Sequence, residues 1–283
     1  MNRPRRAASR GILNVIAVIV FLFSAFPVYW MVSSSLLPSS AVRSSTPHWF
    51  PDEFTLSNVV NVVTEPSGSI AFGPALGMSV LVTVCAVVFA LLFAFLASLA
   101  LTRFMFLGRR ALIIAVLVVQ MIPAEALIIS TFRVLDGWHL INSAVGLICV
   151  YVAAVLPFTI WTLRGFVNGI PAELEEAAQV DGCTRMGAFW RVTFPLLGPG
   201  LAATGVFAFI QAWNEFIYAL IIMTRPETRT LPVWLRAFVQ ATKETDWAAI
   251  MAGSTLCAIP VIVFFLIVQG RMTQGMVAGA VKG

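Results

Sequence analysis

The stretch "VLVTVCAVVFALLFAFLASLALT", Val80 to Thr102, runs without one charged side chain. A bilayer core takes roughly 20 residues at helical rise, so a run of this length spans it. Backbone groups inside hydrocarbon must pair within the structure, which leaves a helix or a closed barrel. Barrel strands alternate apolar and polar residues over about 10 positions, and this run does not alternate. It reads as a membrane-spanning helix.

Working outward, six such runs recur along the chain: Ile12–Leu37, Pro74–Leu101, Ala111–Phe132, Ala144–Leu163, Leu201–Met223 and Ala248–Gln269. Composition agrees. Of 283 residues, 59% are hydrophobic and only 11% charged, where a soluble domain carries about 25% charged residues. The mean hydropathy is +0.92. The expected fold is an all-α membrane protein with six transmembrane helices. The first span follows "NRPRRAASR" but is longer than the ~7–15 apolar residues of a signal peptide, so a retained helix is expected. The chain divides into an N-terminal tail (1–11), a six-helix domain (12–270) and a C-terminal tail (271–283). Within the domain lie a loop at 171–195 and longer loops at 38–73 and 224–247. In the last of these, Trp234 and Trp247 suit a membrane-interface belt.

Orientation follows from Lys and Arg. With the N-terminus inside, twelve of the eighteen fall on the cytoplasmic side: Arg3, Arg5, Arg6, Arg10, Arg103, Arg109, Arg110, Arg164, Arg185, Arg191, Arg271 and Lys282. Both termini are expected to be cytoplasmic. This bias explains the net charge of +5 without a nucleic-acid partner. Cys85, Cys149, Cys183 and Cys257 form no CxxC pair, and His48 and His139 lie far apart; neither a disulfide framework nor a metal site is expected.

One cytoplasmic loop stands apart: "ELEEAAQVDGCTRMGAFWRVTFPLL", Glu173 to Leu197. Pro171 suits a first helical position, and Glu173, Glu175 and Glu176 favour the positive end of a helix dipole. Leu174, Ala177 and Ala178 recur at i, i+3, i+4 and make a narrow apolar face. Gly182 is placed to end the helix in a left-handed cap. Thr184 is placed to cap a second helix carrying Phe189, Trp190 and Val192, which Pro195 interrupts. Such a helix either docks into a soluble partner or lies as an amphipathic helix on lipid. "GCTRMGAF" has two glycines at Walker A spacing, but Ala188-Phe189 stands where Lys-Ser/Thr would reach phosphate and magnesium. If the protein runs on ATP, another chain hydrolyses it.

At this point a resemblance emerges. Glu176-Ala177-Ala178, Gly182, Val192, Phe194 and Pro195 follow the pattern of the EAA loop of binding-protein-dependent ABC importer permeases. Val192 and Phe194 replace the Ile and Leu more frequent there, which keeps the hydrophobicity. "WNEFIYAL" (Trp213–Leu220), "RTLPVWL" (Arg229–Leu235), "DWAAIMAGS" (Asp246–Ser254) and "GMVAGAVKG" (Gly275–Gly283) resemble the carbohydrate branch, in its smaller maltose-type permease partner.

The resemblance implies a type I ABC importer permease fold in a bacterial cytoplasmic (inner) membrane. It implies a second homologous permease subunit, a cytoplasmic ABC ATPase dimer and an extracytoplasmic substrate-binding protein, with lipid around the spans. No cofactor is expected in this chain, because ATP and magnesium belong to the ATPase. Glu176, Ala177, Ala178, Asp181 and Gly182 would form the coupling helix that docks in an ATPase cleft. The outer loop 224–247 would reach the binding protein, and the tail, with Val281, Lys282 and Gly283, would contact the ATPases. The implied substrate is an oligosaccharide or disaccharide, with glycerol-phosphate derivatives as the alternative.

Polar residues inside spans are costly and turn toward a bundle interior or a cavity. Glu125, Gln211, Asn214 and Glu215 therefore either line the pathway or fix helix packing by hydrogen bonds. Pro123 and Pro157 are candidate kinks, and Gly165–Gly169 has close-packing spacing. A membrane-embedded enzyme using Glu125 or Glu215 would need a second catalytic group at matching depth. The two His lie outside the spans, so no catalytic residue is assigned. A proton-coupled secondary transporter leaves the cytoplasmic helix without a role.

Overall fold

The computed structural model describes residues 3–50, 53–65, 71–239 and 245–280. Val281, Lys282 and Gly283 lie outside them. Among the described residues there is helix and no strand. The helices used below are α1 (Arg3–Ser35), α2 (Ser57–Thr64), α3 (Phe72–Arg103), α4 (Arg109–Gln120), α5 (Ile128–Gly137), α6 (Ala144–Asn168), α7 (Glu173–Val180), α8 (Arg185–Ala188), α9 (Gly198–Trp213), α10 (Ile217–Ile222), α11 (Leu231–Arg236) and α12 (Trp247–Ala280).

Four of them, α1, α3, α6 and α12, are long and apolar enough to cross a membrane among the described residues. The other two expected spans are not single helices. The third breaks between α4 and the segment Ala124–Gly137, with a bend of 93°. Pro123 lies at that break; it fixes its own φ, supplies no N–H and keeps its predecessor out of the helical region. The fifth expected span, Leu201–Met223, is interrupted at Asn214–Phe216, between α9 and α10. Periodicity could not register either break, because the residues on both sides are equally apolar. α6, by contrast, runs as one helix through Pro157.

The described residues fall into two compact units, Met1–Phe72 with Leu235–Ala258, and Gly73–Trp234 with Ile259–Gly283. In the first, the buried Asn58 amide donates to the Ser35 and Leu37 carbonyls at 3.0 and 2.7 Å, satisfying acceptors at the end of α1. Asp246 caps α12 by accepting from the Ala249 N–H at 3.2 Å. Residues Ile12 to Phe23 of α1 are mostly exposed, as expected of side chains that meet lipid or another subunit.

In the second unit, one core cluster joins α3, α6 and α10 through Val82, Ala86, Leu147, Tyr151, Ala219 and Ile222. A second joins the other end of α3 and α6 to Leu197 through Ala94, Phe95, Leu101, Ile160, Leu163 and Val167. Close packing of α6 on α9 falls at Gly200, not at the expected Gly165–Gly169 pair. A Cβ on Gly200 would sit 2.5 Å from Phe166 Cγ, whereas one on Gly165 would meet nothing within 4 Å. Because the obstructing atoms are the stem of Phe166, relief requires backbone movement. Gly200→Ala is therefore expected to cost about 1–3 kcal/mol, read as a lower unfolding midpoint in detergent; an unchanged midpoint would contradict this packing.

Trp234 also departs from expectation. It is fully buried, with Leu231 and Val233, while Trp247 is half exposed as an interface residue would be. The reason is a long-range contact: the Leu231 N–H donates to Ser79 Oγ of α3 at 2.7 Å. That bond folds α11 back onto the bundle and turns Trp234 inward.

Candidate functional site

The loop singled out by its charge is a short helix, a glycine corner and a second helical segment. Glu173, Glu175 and Glu176 all occupy the first turn of α7, where carboxylates meet unpaired backbone N–H groups and the positive end of the dipole. They do not share one fate. Successive helical residues point about 100° apart, and only Glu175 turns inward. Its Oε1 accepts from Thr193 Oγ1 at 2.7 Å and lies 3.1 Å from Arg103 Nη2. The same Nη2 donates to the Ile170 carbonyl at 3.1 Å. The Arg103 and Glu175 side chains are only 17% and 15% exposed, while Glu173 and Glu176 face outward.

The helix ends as its sequence demands. The Cys183 N–H donates to the Ala178 carbonyl at 3.0 Å and the Gly182 N–H to Gln179 at 3.1 Å, the paired bonds of a Schellman turn. Gly182 takes φ +92°, a conformation costly for any residue with a Cβ. Thr184 then caps α8, accepting from the Gly187 N–H at 3.1 Å. The two glycines of the Walker-like spacing thus serve a helix corner. A π-helical segment follows at Phe189–Thr193, and Pro195 lies in the first turn of the next helical piece. The segment Arg185–Leu196 meets α9 at 60°.

Behind this corner the loop grips α3. Phe95 packs against Phe189 and Phe194, each with ring centroids 5.7 Å apart, and the Arg185 guanidinium lies 5.2 Å over the Phe104 ring. The opposite face is uncovered. Glu176, Ala177, Asp181 and Gly182 are exposed and Ala178 partly so; Val180 is 87% and Met186 65% exposed. Val180 thus stands bare beside the Asp181 carboxylate on a helix anchored from behind by Glu175.

Of the in-span polar candidates, Glu215 is half-buried and acts as a cap. Its carboxylate accepts from the Tyr218 N–H at 2.7 Å and the Ala219 N–H at 3.1 Å, the first turn of α10. Asn214 donates back to the Ile210 carbonyl at 2.9 Å. Tyr218 Oη in turn donates to the Ala124 carbonyl at 2.8 Å, so the two helix breaks are joined. Glu125, Gln211 and Asn214 are exposed. Sequence reasoning missed Arg103, Thr193 and Tyr218 and gave Glu175 no separate role. The one available signal was that adjacent acids on a helix cannot face the same way. On the other side of this unit Asn142, at φ 60°, accepts through Oδ1 from Arg225 N–H at 2.9 Å and Thr224 Oγ1 at 3.1 Å, fastening the start of the 224–247 loop.

The geometry is that of a broken-span helical bundle carrying a short helix anchored on one face and exposed on the other. The profile of the family described as binding-protein-dependent transport system inner membrane component matches residues 86–277. The chain belongs to that family, whose members work with an ATPase and a substrate-binding protein. It is 44% identical over 270 residues to the diacetylchitobiose uptake system permease protein DasC of Streptomyces coelicolor, covering 95% of this chain and 96% of that one. It is 35% identical to the trehalose transport system permease protein SugB of Mycobacterium tuberculosis, covering 99% of each. Identity to the trehalose/maltose transport system permease protein MalG of Thermococcus litoralis is 30%, covering 97% of each. The fold matches a solved bacterial ABC transporter that imports the acidic polysaccharide alginate, with a TM-score of 0.77 over 94% of this chain and 97% of that one, at 23% identity.

Proposed function

We propose that this chain forms half of the translocation pathway of an ATP-driven sugar importer, alongside a second homologous permease, with both termini cytoplasmic. The substrate is an oligosaccharide or disaccharide delivered by an extracytoplasmic binding protein; relatives covering nearly the whole chain are named for diacetylchitobiose, trehalose and maltose transport. The observation that carries the reading is the uncovered face of α7, with Glu176, Ala177, Ala178, Asp181 and Gly182 at its corner. An ATPase cleft closes on that face. ATP and magnesium bind the ATPase, and this chain converts closure into a change of access, a rigid-body transition of the kind transporters use. The breaks at Met121–Pro123 and Asn214–Phe216 leave non-helical backbone, which is tolerated at membrane depth where it is buried or lines a cavity. Glu125, Gln211 and Asn214 beside them offer carboxylate and amide groups to sugar hydroxyls, while Glu215 stabilises the break itself.

Charge reversal at the exposed acid tests the docking role. Glu176→Lys is expected to lower co-purification of the ATPase with the permease pair at least tenfold, with membrane insertion intact. Undiminished co-purification would overturn it. Uptake of labelled disaccharide, competed by unlabelled oligosaccharides but not by amino acids, is the expected substrate result.

A further inference from the structure

α3 differs from the broken spans in a way that links the two sides of the membrane. Between Ser79 and Arg103 it contains neither Gly nor Pro, the usual sources of a bend, and at 1.5 Å per residue it covers about 36 Å. Each end carries a specific joint to a functional loop. At one end Arg103 binds Glu175 of α7, and Phe95 and Phe104 make further contacts with the same loop. Arg103 Nε is buried without a hydrogen-bond partner, so the pairing of Nη2 with Glu175 and Ile170 bears the desolvation of this guanidinium. At the other end Ser79 Oγ accepts from the Leu231 N–H, holding α11 at 2% exposure or less for Leu231, Val233 and Trp234.

We propose that α3 is a rigid strut that carries displacement between the cytoplasmic helix α7 and the outer helix α11. Its two joints are the Glu175 pair at Arg103 and Ser79, two turns inside the other end of the helix, and both Glu175 and Ser79 are positioning residues. The proposal deepens the coupling role assigned to α7 and rests on it. Events at the binding-protein side, at Leu231–Arg236, then reach the ATPase through one unhinged helix, and the reverse stroke takes the same path.

The test is a double-mutant cycle on the reconstituted complex, read as the ratio of binding-protein-stimulated to basal ATP hydrolysis. Glu175→Gln and Ser79→Ala are each expected to cut that ratio about fivefold or more, with basal hydrolysis and ATPase co-purification retained. Ser79→Thr, which keeps the acceptor hydroxyl, is expected to restore it. Sites this far apart normally contribute independently. A strut broken at one end is already broken, so the double variant is expected to do no worse than the poorer single one. Losses that multiply in the double variant, or single variants with an unchanged ratio, would overturn the proposal. If Ser79→Ala does not accumulate, Ser79→Cys, a near-isostere with a weak acceptor, takes its place in the cycle. Failure of the underlying coupling role reads differently, because Glu176→Lys would then leave the ATPase bound.

Discussion

Gly182→Val is expected to reduce binding-protein-stimulated ATP hydrolysis and sugar uptake at least tenfold while the chain still inserts. Two effects combine. The residue sits at φ +92°, where an L side chain costs roughly 1–2 kcal/mol and a β-branched one more. Relief of that strain would open the Schellman bonds from Cys183 and Gly182 and release the angle between α7 and α8. The second effect is steric. A Cβ here meets nothing within 4 Å in this chain, so any further obstruction comes from whatever covers the corner. Gly182→Asn separates the two, since Asn tolerates the left-handed region. If the partner's cleft closes on this corner, Asn preserves thermal stability yet still weakens ATPase co-purification. Full uptake by Gly182→Val would contradict both arguments.

Glu215→Ala is expected to produce the largest loss of stability among single substitutions in the spans. The carboxylate satisfies two backbone N–H groups at the start of α10, where little water can replace it. Each buried donor left without an acceptor costs roughly 1–3 kcal/mol. The damage should spread, because Tyr218 in that turn also bonds Ala124 across the other break. Unfolding in detergent should occur several degrees lower, with uptake falling in parallel. Glu215→Gln retains one acceptor oxygen and should lie between Ala and the parent. Should Gln match the parent in stability while uptake is lost, the carboxylate would instead act on substrate.

What the sequence revealed here depended on the kind of signal involved. The spans were legible because apolar length measures membrane thickness, and the glycine corner was legible because Gly182 and Thr184 are local solutions to local backbone problems. Pro123 announced a kink, though not one of 93°, whereas nothing announced the break at Asn214–Phe216, where apolar residues continue on both sides and only the backbone departs. Glu215 illustrates the limit: its residue type announced a polar group in the membrane, but capping and pathway lining use the same side chain. Partnerships across the fold were not legible at all. Nothing in "LTRF" names Glu175 as the partner of Arg103, and nothing in "RTLPVWL" reveals that Ser79 will turn Trp234 inward.

The proposed coupling depends first on contact between the uncovered corner of α7 and an ATPase. A photo-crosslinking amino acid at Glu176, compared with one at Glu227, which is also exposed, measures it in the assembled complex. Crosslinks into the ATPase from position 176 and none from 227 are predicted. Crosslinks from 176 into lipid alone, or into the ATPase equally from both positions, would contradict it.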